Sequence, residues 1–217
     1  MGRFRPHVIF SAAITLDGKL ATRTGDSKLS SKADKNRVHK LRGKVDAILI
    51  GKNTAKLDDP ILSVHNAKKK NPIRIILDSN ATIQNNSRIL RTSSKIPTII
   101  VVGERASKKN LQRLEKFPIQ IIVCGKDRIN IKKLLVALRK QNIKKILVEG
   151  GGETNWSFVK ENLTDEIIIT ITPYVVGGVS STTLVDGDGF STIIKSTKLK
   201  LKNARRMNNE IILHYEN

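Results

Sequence analysis

A chain of 217 residues with 39% hydrophobic and 27% charged content is long and apolar enough for a sizeable packed α/β core, and it lacks the composition of a disordered segment. No apolar run approaches the roughly 18 residues of a membrane span; Val8 to Ile14 is short and broken by Ser11, unlike a secretory leader, so a cytoplasmic protein is expected. The net charge of +21 admits nucleic acid or small anionic substrates, but aromatic content of 4% leaves few stacking platforms, which makes nucleic acid an unfavoured partner.

Val8 to Ile14 reads as a first, mostly apolar strand, and Asp17-Gly18 as the turn after it. Ser30 or Ser31 caps a helix from Lys32 to Arg42, which Gly43 ends. Ala47 to Gly51 is a second core strand. One or two helical turns follow over 53–58, stopped by Asp59-Pro60. After the basic stretch 65–71, strands are expected at 72–79 and 98–103, a helix at 108–116, a strand at 119–123 and a helix at 131–141 capped by Asn130. Its Leu134, Leu135 and Leu138 share one face.

Ile146-Leu147-Val148 is a short buried strand that runs straight into Glu149-Gly150-Gly151-Gly152. Three glycines permit positive φ and close approach of a ligand to the backbone. Thr154 or Asn155 caps the next helix, with Trp156 and Val159 on its inner face. A helix start behind such a turn offers N–H groups and a positive dipole end to a phosphate. A further strand spans 166–171, then a glycine-rich loop to Gly189. Lys198 to Lys202 alternates strictly and, with 211–215 and an Asn208-Asn209 turn, forms an antiparallel hairpin at a sheet edge with one wet face. The pattern is a single domain, 1–217, of three-layer α/β type.

The polar residues of interest follow strand ends: Thr15 and Asp17, 51–58, Asp78 and Ser79, Gly125, and 149–153. In an open parallel sheet these ends share one edge, where ligands bind. No dinucleotide-binding glycine fingerprint, Walker A loop or nucleophile elbow is present. One cysteine and four scattered histidines supply no metal-ligand set. Few ionisable catalytic groups remain, which suits hydride transfer, where the cofactor carries the chemistry.

Thr15-Leu16-Asp17-Gly18-Lys19, Val38-His39-Lys40-Leu41-Arg42, Asp46 to Gly51, Asp58-Asp59-Pro60, Pro72 to Ser79, Glu149-Gly150-Gly151-Gly152, Asp165-Glu166 and Pro173 with Gly177-Gly178 occur in that order. Together they resemble the riboflavin-biosynthesis reductases, in length like the stand-alone archaeal members and akin to the reductase half of the bacterial bifunctional deaminase–reductase. The resemblance implies a dihydrofolate-reductase-like fold, a mostly parallel sheet ending in an antiparallel hairpin. It also implies a homodimer, NADPH as hydride donor with NADH as an alternative, and a phosphorylated pyrimidine substrate. The implied reaction turns a ribosylamino side chain into ribitylamino by hydride transfer to C1′ of the ring-opened imine. The zinc deaminase motif is missing, so only the reductase step is implied.

Carried over by position, the resemblance assigns Thr54, Asp58, Asp78, Ser79, Asn80, Ala81, Gly150, Gly151, Gly152 and Glu153 to the cofactor. Ser27, Arg42, Leu62, His65 and Glu149 go to the substrate, with Arg42 as phosphate partner, Glu149 as an orienting carboxylate and no catalytic proton donor identified. His65 stands where the bacterial domain resembles an arginine, and Lys68 is the nearby substitute. No metal is expected. Two other readings stay open: another NADPH reductase of this fold acting on a folate- or pterin-like ring, and a basic nucleic-acid-binding protein.

Overall fold

The computed structural model describes residues 4–64 and 70–217. The chain divides into two compact units, one formed by His39–Leu147 with residues 4–6, the other by His7–Val38 and Val148–Asn217.

The first unit is a parallel sheet of β2 (Ala47–Gly51), β3 (Ile73–Leu77), β4 (Thr98–Val102), β5 (Gln120–Val123) and β6 (Lys145–Val148), in the order β5-β4-β3-β2-β6. Every residue of β2 and β4 is buried, the continuous apolar run of a parallel strand covered on both faces. Helix α2 (Lys52–Leu57) follows β2, α4 (Lys108–Leu114) follows β4 and α5 (Ile131–Lys140) follows β5. Helix α5 buries Ile131, Leu134, Leu135 and Leu138 as one stripe, and Asn130 Oδ1 accepts the Lys133 N–H at 3.0 Å, as the sequence indicates. Register pairs Gly51 with Leu77, Leu77 with Val101, and Val102 with Val123, so these strand ends do share one edge.

A short helix, α3 (Arg88–Arg91), is not anticipated from the sequence. Four residues are too few for periodicity to register; its signal is the cap, Ser87, whose Oγ accepts the Leu90 N–H at 3.3 Å.

A buried arginine knits this unit together. Arg74, the second residue of β3, has no exposed surface. Its guanidinium donates to the carbonyls of Ile61 (3.2 Å), Ile89 (2.8 Å) and Ile96 (3.2 Å) and to the hydroxyls of Thr92 (2.7 Å) and Thr98 (2.6 Å). Burial pushes its pKa down to about 10, which leaves it protonated at neutral pH.

The second unit orders β1 (His7–Ile14), β7 (Glu166–Ile171), β9 (Glu210–Glu216) and β8 (Lys200–Met207) as β1-β7-β9-β8. β1 and β7 are parallel; β7–β9 and β9–β8 are antiparallel, giving the expected hairpin at the edge. β8 is longer than its alternating stretch because pairing with β9 carries Asn203, Arg205 and Arg206 along. The alternation overstates burial: Leu201 is 52% exposed, beside a register irregularity between Leu201 and Asn203. Helix α1 (Lys32–Arg42) begins where expected, and its Asp34 N–H is capped by Ser31 Oγ at 3.1 Å.

Helix α6 (Gly152–Val159) corrects the expected cap. Its N-cap is Gly151, at φ 93°, with no side-chain cap, while Thr154 and Asn155 lie inside the helix and are buried. The glycine turn reverses the chain so abruptly that the helix opens at once. Asn155 then serves sideways, donating from Nδ2 to the Leu184 carbonyl at 2.7 Å.

Candidate active site

In the first unit, Thr54 lies on α2 and Asp58 is its C-cap, donating its N–H back to the Thr54 carbonyl at 3.0 Å. The two are one helical turn apart, on one face. Thr54 is half-buried and Asp58 exposed. Arg42 donates to the Ser63 carbonyl at 3.2 Å, which ties the end of α1 to the 61–64 segment. Leu62 holds φ 55°, and its side chain is buried in the core with Ile48, Ile50 and Ala55. Leu62 therefore presents backbone, not side chain, to any ligand. His65 and Lys68 lie outside the described residues.

Asp78 to Ile83 form a braced loop at the end of β3. Asp78 is fully buried, and its carboxylate accepts the N–H groups of Thr82 and Ile83 at 2.5 and 2.7 Å and the Thr82 hydroxyl at 3.0 Å. Asp78 thus shapes the turn. Ser79 and Asn80 sit on its rim, half-buried and exposed. Ala81 is buried at φ 56°, an uncommon conformation for a residue other than glycine. Helix α4 holds this loop from outside: Arg113 donates to the carbonyls of Ala81 and Ile83, both at 2.7 Å, and Asn110 Nδ2 to that of Asn80 at 2.9 Å. Neither Arg113 nor Asn110 is singled out by the sequence, since each acts on backbone some thirty positions earlier.

In the second unit, Glu149 is half-buried and leads into Gly150 and Gly151, at φ 101° and 93°. A Cβ on Gly150 would meet no other atom within 4 Å, whereas one on Gly152 would run into the Asp186 carboxylate and the Thr183 carbonyl. The glycine-rich loop thus lies against the start of α6: Asp186 donates its N–H to the Gly152 carbonyl at 3.2 Å, and Phe190 meets Trp156 edge-on at 5.0 Å between centroids. Glu153 is exposed in the first turn of α6. Asn155 Oδ1, at the buried heart of this turn, meets no donor among the described residues.

Asp17 is exposed, and its carboxyl is lowered to about 2 by the Thr15 hydroxyl and the N–H groups of Val176 and Gly177. It is a loop pin, not a proton carrier. Ser27 is exposed, on a loop closed by Thr22 and Asp26. The loop's end is anchored from the hairpin: buried Glu210 accepts the Ser31 N–H at 3.0 Å and its hydroxyl at 2.7 Å. Beside it, fully buried Asp34 accepts from Ser30, Arg37 and Thr170 at 2.7 to 2.8 Å. No helix among the described residues is long and apolar enough to cross a membrane.

The family model of the RibD C-terminal domain matches residues 6–213, a stretch that takes in both units. The chain is 39% identical to the 2,5-diamino-6-ribosylamino-4(3H)-pyrimidinone 5′-phosphate reductase of Methanothermobacter thermautotrophicus, across 97% of this chain and 98% of that protein. It is 37% identical to the protein of the same name from Aquifex aeolicus, across 98% and 96%. Among solved structures it superposes on Acinetobacter baumannii RibD with a TM-score of 0.84 at 24% identity, covering 98% of this chain and 58% of that longer one. This last likeness concerns the fold.

Proposed function

The chain belongs to the RibD C-terminal domain family, and on that footing we propose that it reduces 2,5-diamino-6-ribosylamino-4(3H)-pyrimidinone 5′-phosphate to the ribitylamino form, with NADPH as reductant. The observation that carries this reading is the end-to-end match to the Methanothermobacter thermautotrophicus reductase, which is named for that substrate. The family match runs through both units, which supports treating 1–217 as one functional domain.

The residues present fit a phosphate-bearing cofactor. The Gly150-Gly151 turn leaves bare backbone with open space above Gly150, and α6 begins behind it without a side-chain cap. The N–H groups of its first turn are the donors for a diphosphate. Thr54 and Asp58 contribute a hydroxyl and a carboxylate from one face of α2. Ser79 and Asn80 contribute from a loop that Asp78 and Arg113 hold rigid, so little ordering is left to the binding event.

When bound, NADPH supplies the hydride that adds to C1′ of the ring-opened substrate imine, while a proton goes to the exocyclic nitrogen to complete the amine. The chain's own work is positioning. Arg42 holds the substrate 5′-phosphate by paired charge-assisted hydrogen bonds, and Glu149 accepts from substrate N–H or O–H groups and so orients them. Ser27, on its anchored loop, adds a hydroxyl. We read the protein as a homodimer, which sedimentation equilibrium checks. The deciding assay is oxidation of NADPH and of NADH by the purified chain with the ribosylamino-pyrimidine phosphate, and with dihydrofolate as the competing substrate. Turnover on dihydrofolate alone would move the chain to another reductase activity.

A further inference from the structure

Two of the six non-glycine residues with positive φ among the described ones fall within four positions of the first unit, Asp59 at 38° and Leu62 at 55°. Aspartate visits this region readily; a bulky leucine is an outlier there. Such strain persists only where the surroundings over-determine it, and it gathers at ligand clamps. The surroundings here are three arginines on alternate carbonyls. Arg88 Nη1 donates to that of Asp59 at 3.5 Å, Arg74 Nη1 to that of Ile61 at 3.2 Å and Arg42 Nη1 to that of Ser63 at 3.2 Å. Arg74 is the fixed member of the three. Ile89, Thr92, Ile96 and Thr98 hold its guanidinium from α3, β4 and the turn between them, so Ile61 is drawn to it. The buried Leu62 side chain and the Val64 N–H, bound to Asn71 Oδ1 at 3.0 Å, pin the rest of the segment.

The segment so held keeps polar backbone in hand. The N–H and carbonyl of Leu62 and the N–H of Ser63 meet no partner among the described residues. A donor and an acceptor side by side on fixed backbone match the edge of a heterocyclic amide, where a ring N–H or amino group stands beside a carbonyl. The compound for which the Methanothermobacter thermautotrophicus reductase is named has such an edge, a 2-amino-4(3H)-pyrimidinone. We propose that Arg74 is a positioning residue for the reaction: through the Ile61 carbonyl it holds the 61–63 backbone in the strained conformation that reads the amide edge of the pyrimidinone ring. This rests on the reading of the chain as a pyrimidinone phosphate reductase. It adds to that reading the buried group that sets affinity for the ring, on a residue that touches no ligand and that the sequence did not single out.

The test separates the ring from the cofactor. The full chain is titrated with the ribitylamino product and, separately, with NADPH, and steady-state constants are measured at a temperature where circular dichroism shows every variant folded. Arg74→Met should weaken product binding and raise KM for the substrate at least about tenfold, with kcat within about threefold and NADPH affinity within about twofold of wild type. The loss should be equal on the phosphorylated and dephosphorylated substrates, because both carry the ring. Leu114→Ala, on α4 and buried in the same core cluster as Leu62, controls for lost stability and should keep both affinities. Thr92→Val removes only the hydroxyl that shares Nη1 with Ile61; a loss of ring affinity of at least about threefold is expected, and this milder variant decides if Arg74→Met does not fold. The proposal is overturned if the folded variants bind product like the wild type, if Leu114→Ala loses as much, or if NADPH affinity falls by the same factor. A wild type that turns over while the variants keep ring affinity loses only the positioning role. A wild type that neither binds nor turns over the pyrimidine loses the reductase reading, and the role of Arg74 falls with it.

Discussion

Replacing Arg74 by methionine tests the largest polar commitment in the first unit. The substitution keeps most of the volume and removes every donor. Not all five acceptors then go unpaired. The Thr98 hydroxyl still donates to the Ile96 carbonyl at 2.9 Å, and the Thr92 hydroxyl to the Arg88 carbonyl at 2.6 Å. The deficit falls on the carbonyls of Ile61 and Ile89, which lose donors at 3.2 and 2.8 Å. At about 1–3 kcal/mol for each buried carbonyl left short, the gross cost is about 2–6 kcal/mol. Removing a buried charge returns part of this. We expect a net loss of about 3 kcal/mol, a fall in Tm of about 6–12 °C for a chain of this size. Arg74→Lys should fare no better, because an ammonium cannot reach five acceptors in a plane. Urea unfolding followed by fluorescence and circular dichroism gives the difference. If Arg74→Met matches the wild type within about 0.5 kcal/mol, or exceeds it as some apolar replacements of buried charges do, then the carbonyls find other donors and the clamp carries no stability.

Arg42→Ala should lower kcat/KM for the phosphorylated substrate at least about tenfold, with NADPH affinity unchanged and a much smaller drop on a dephosphorylated analogue; equal losses on both would show Arg42 acting only through the 61–64 segment. Gly151→Val places a branched side chain at φ 93° and beside the proposed diphosphate, so strain of about 1–3 kcal/mol should accompany at least a tenfold weaker NADPH affinity, read by titration. Glu166 supplies a pH dependence: burial alone would raise its pKa, but bonds from His7 at 2.6 Å and His214 at 2.8 Å draw it below the ordinary 4.5. A depressed carboxyl stabilises the fold above its unfolded pKa and loses that contribution as pH falls through the folded one. Stability measured from pH 6 downward should therefore fall less steeply in Glu166→Gln than in wild type.

Much of this fold is legible in the sequence because buried parallel strands write themselves as unbroken apolar runs. Ala47 to Gly51 and 98–102 need no context. The glycine turn is equally plain, since Gly150 and Gly151 take the positive φ that only their composition suggests. What escapes is polar work at long range. Arg74 reads as an oddity in an apolar strand, and its acceptors lie between 13 and 24 residues away. Arg113, Asn110 and Glu210 serve backbone in distant segments, where no local pattern betrays them. The cap of α6 is misread because Thr154 and Asn155 are good cap residues that the glycines have already made unnecessary.

The pairing of β1 with β7 sets a timetable for synthesis on the ribosome. The Val8 N–H donates to Asp165, 157 positions later, and Ser31 waits for Glu210, 179 positions away. The strands of the first unit, by contrast, lie within one continuous run, 47–148. That run emerges before β7, the parallel partner of His7–Ile14 within the second unit. Because β9 lies between β7 and β8 in the sheet order, the second unit closes only when 210–216 emerge. Such non-local closure is slow. In the interval, His7–Ile14 offers an unsatisfied edge to any neighbouring nascent chain. Chaperone demand should therefore be concentrated on His7–Ile14, and slower translation past residue 148 would prolong it.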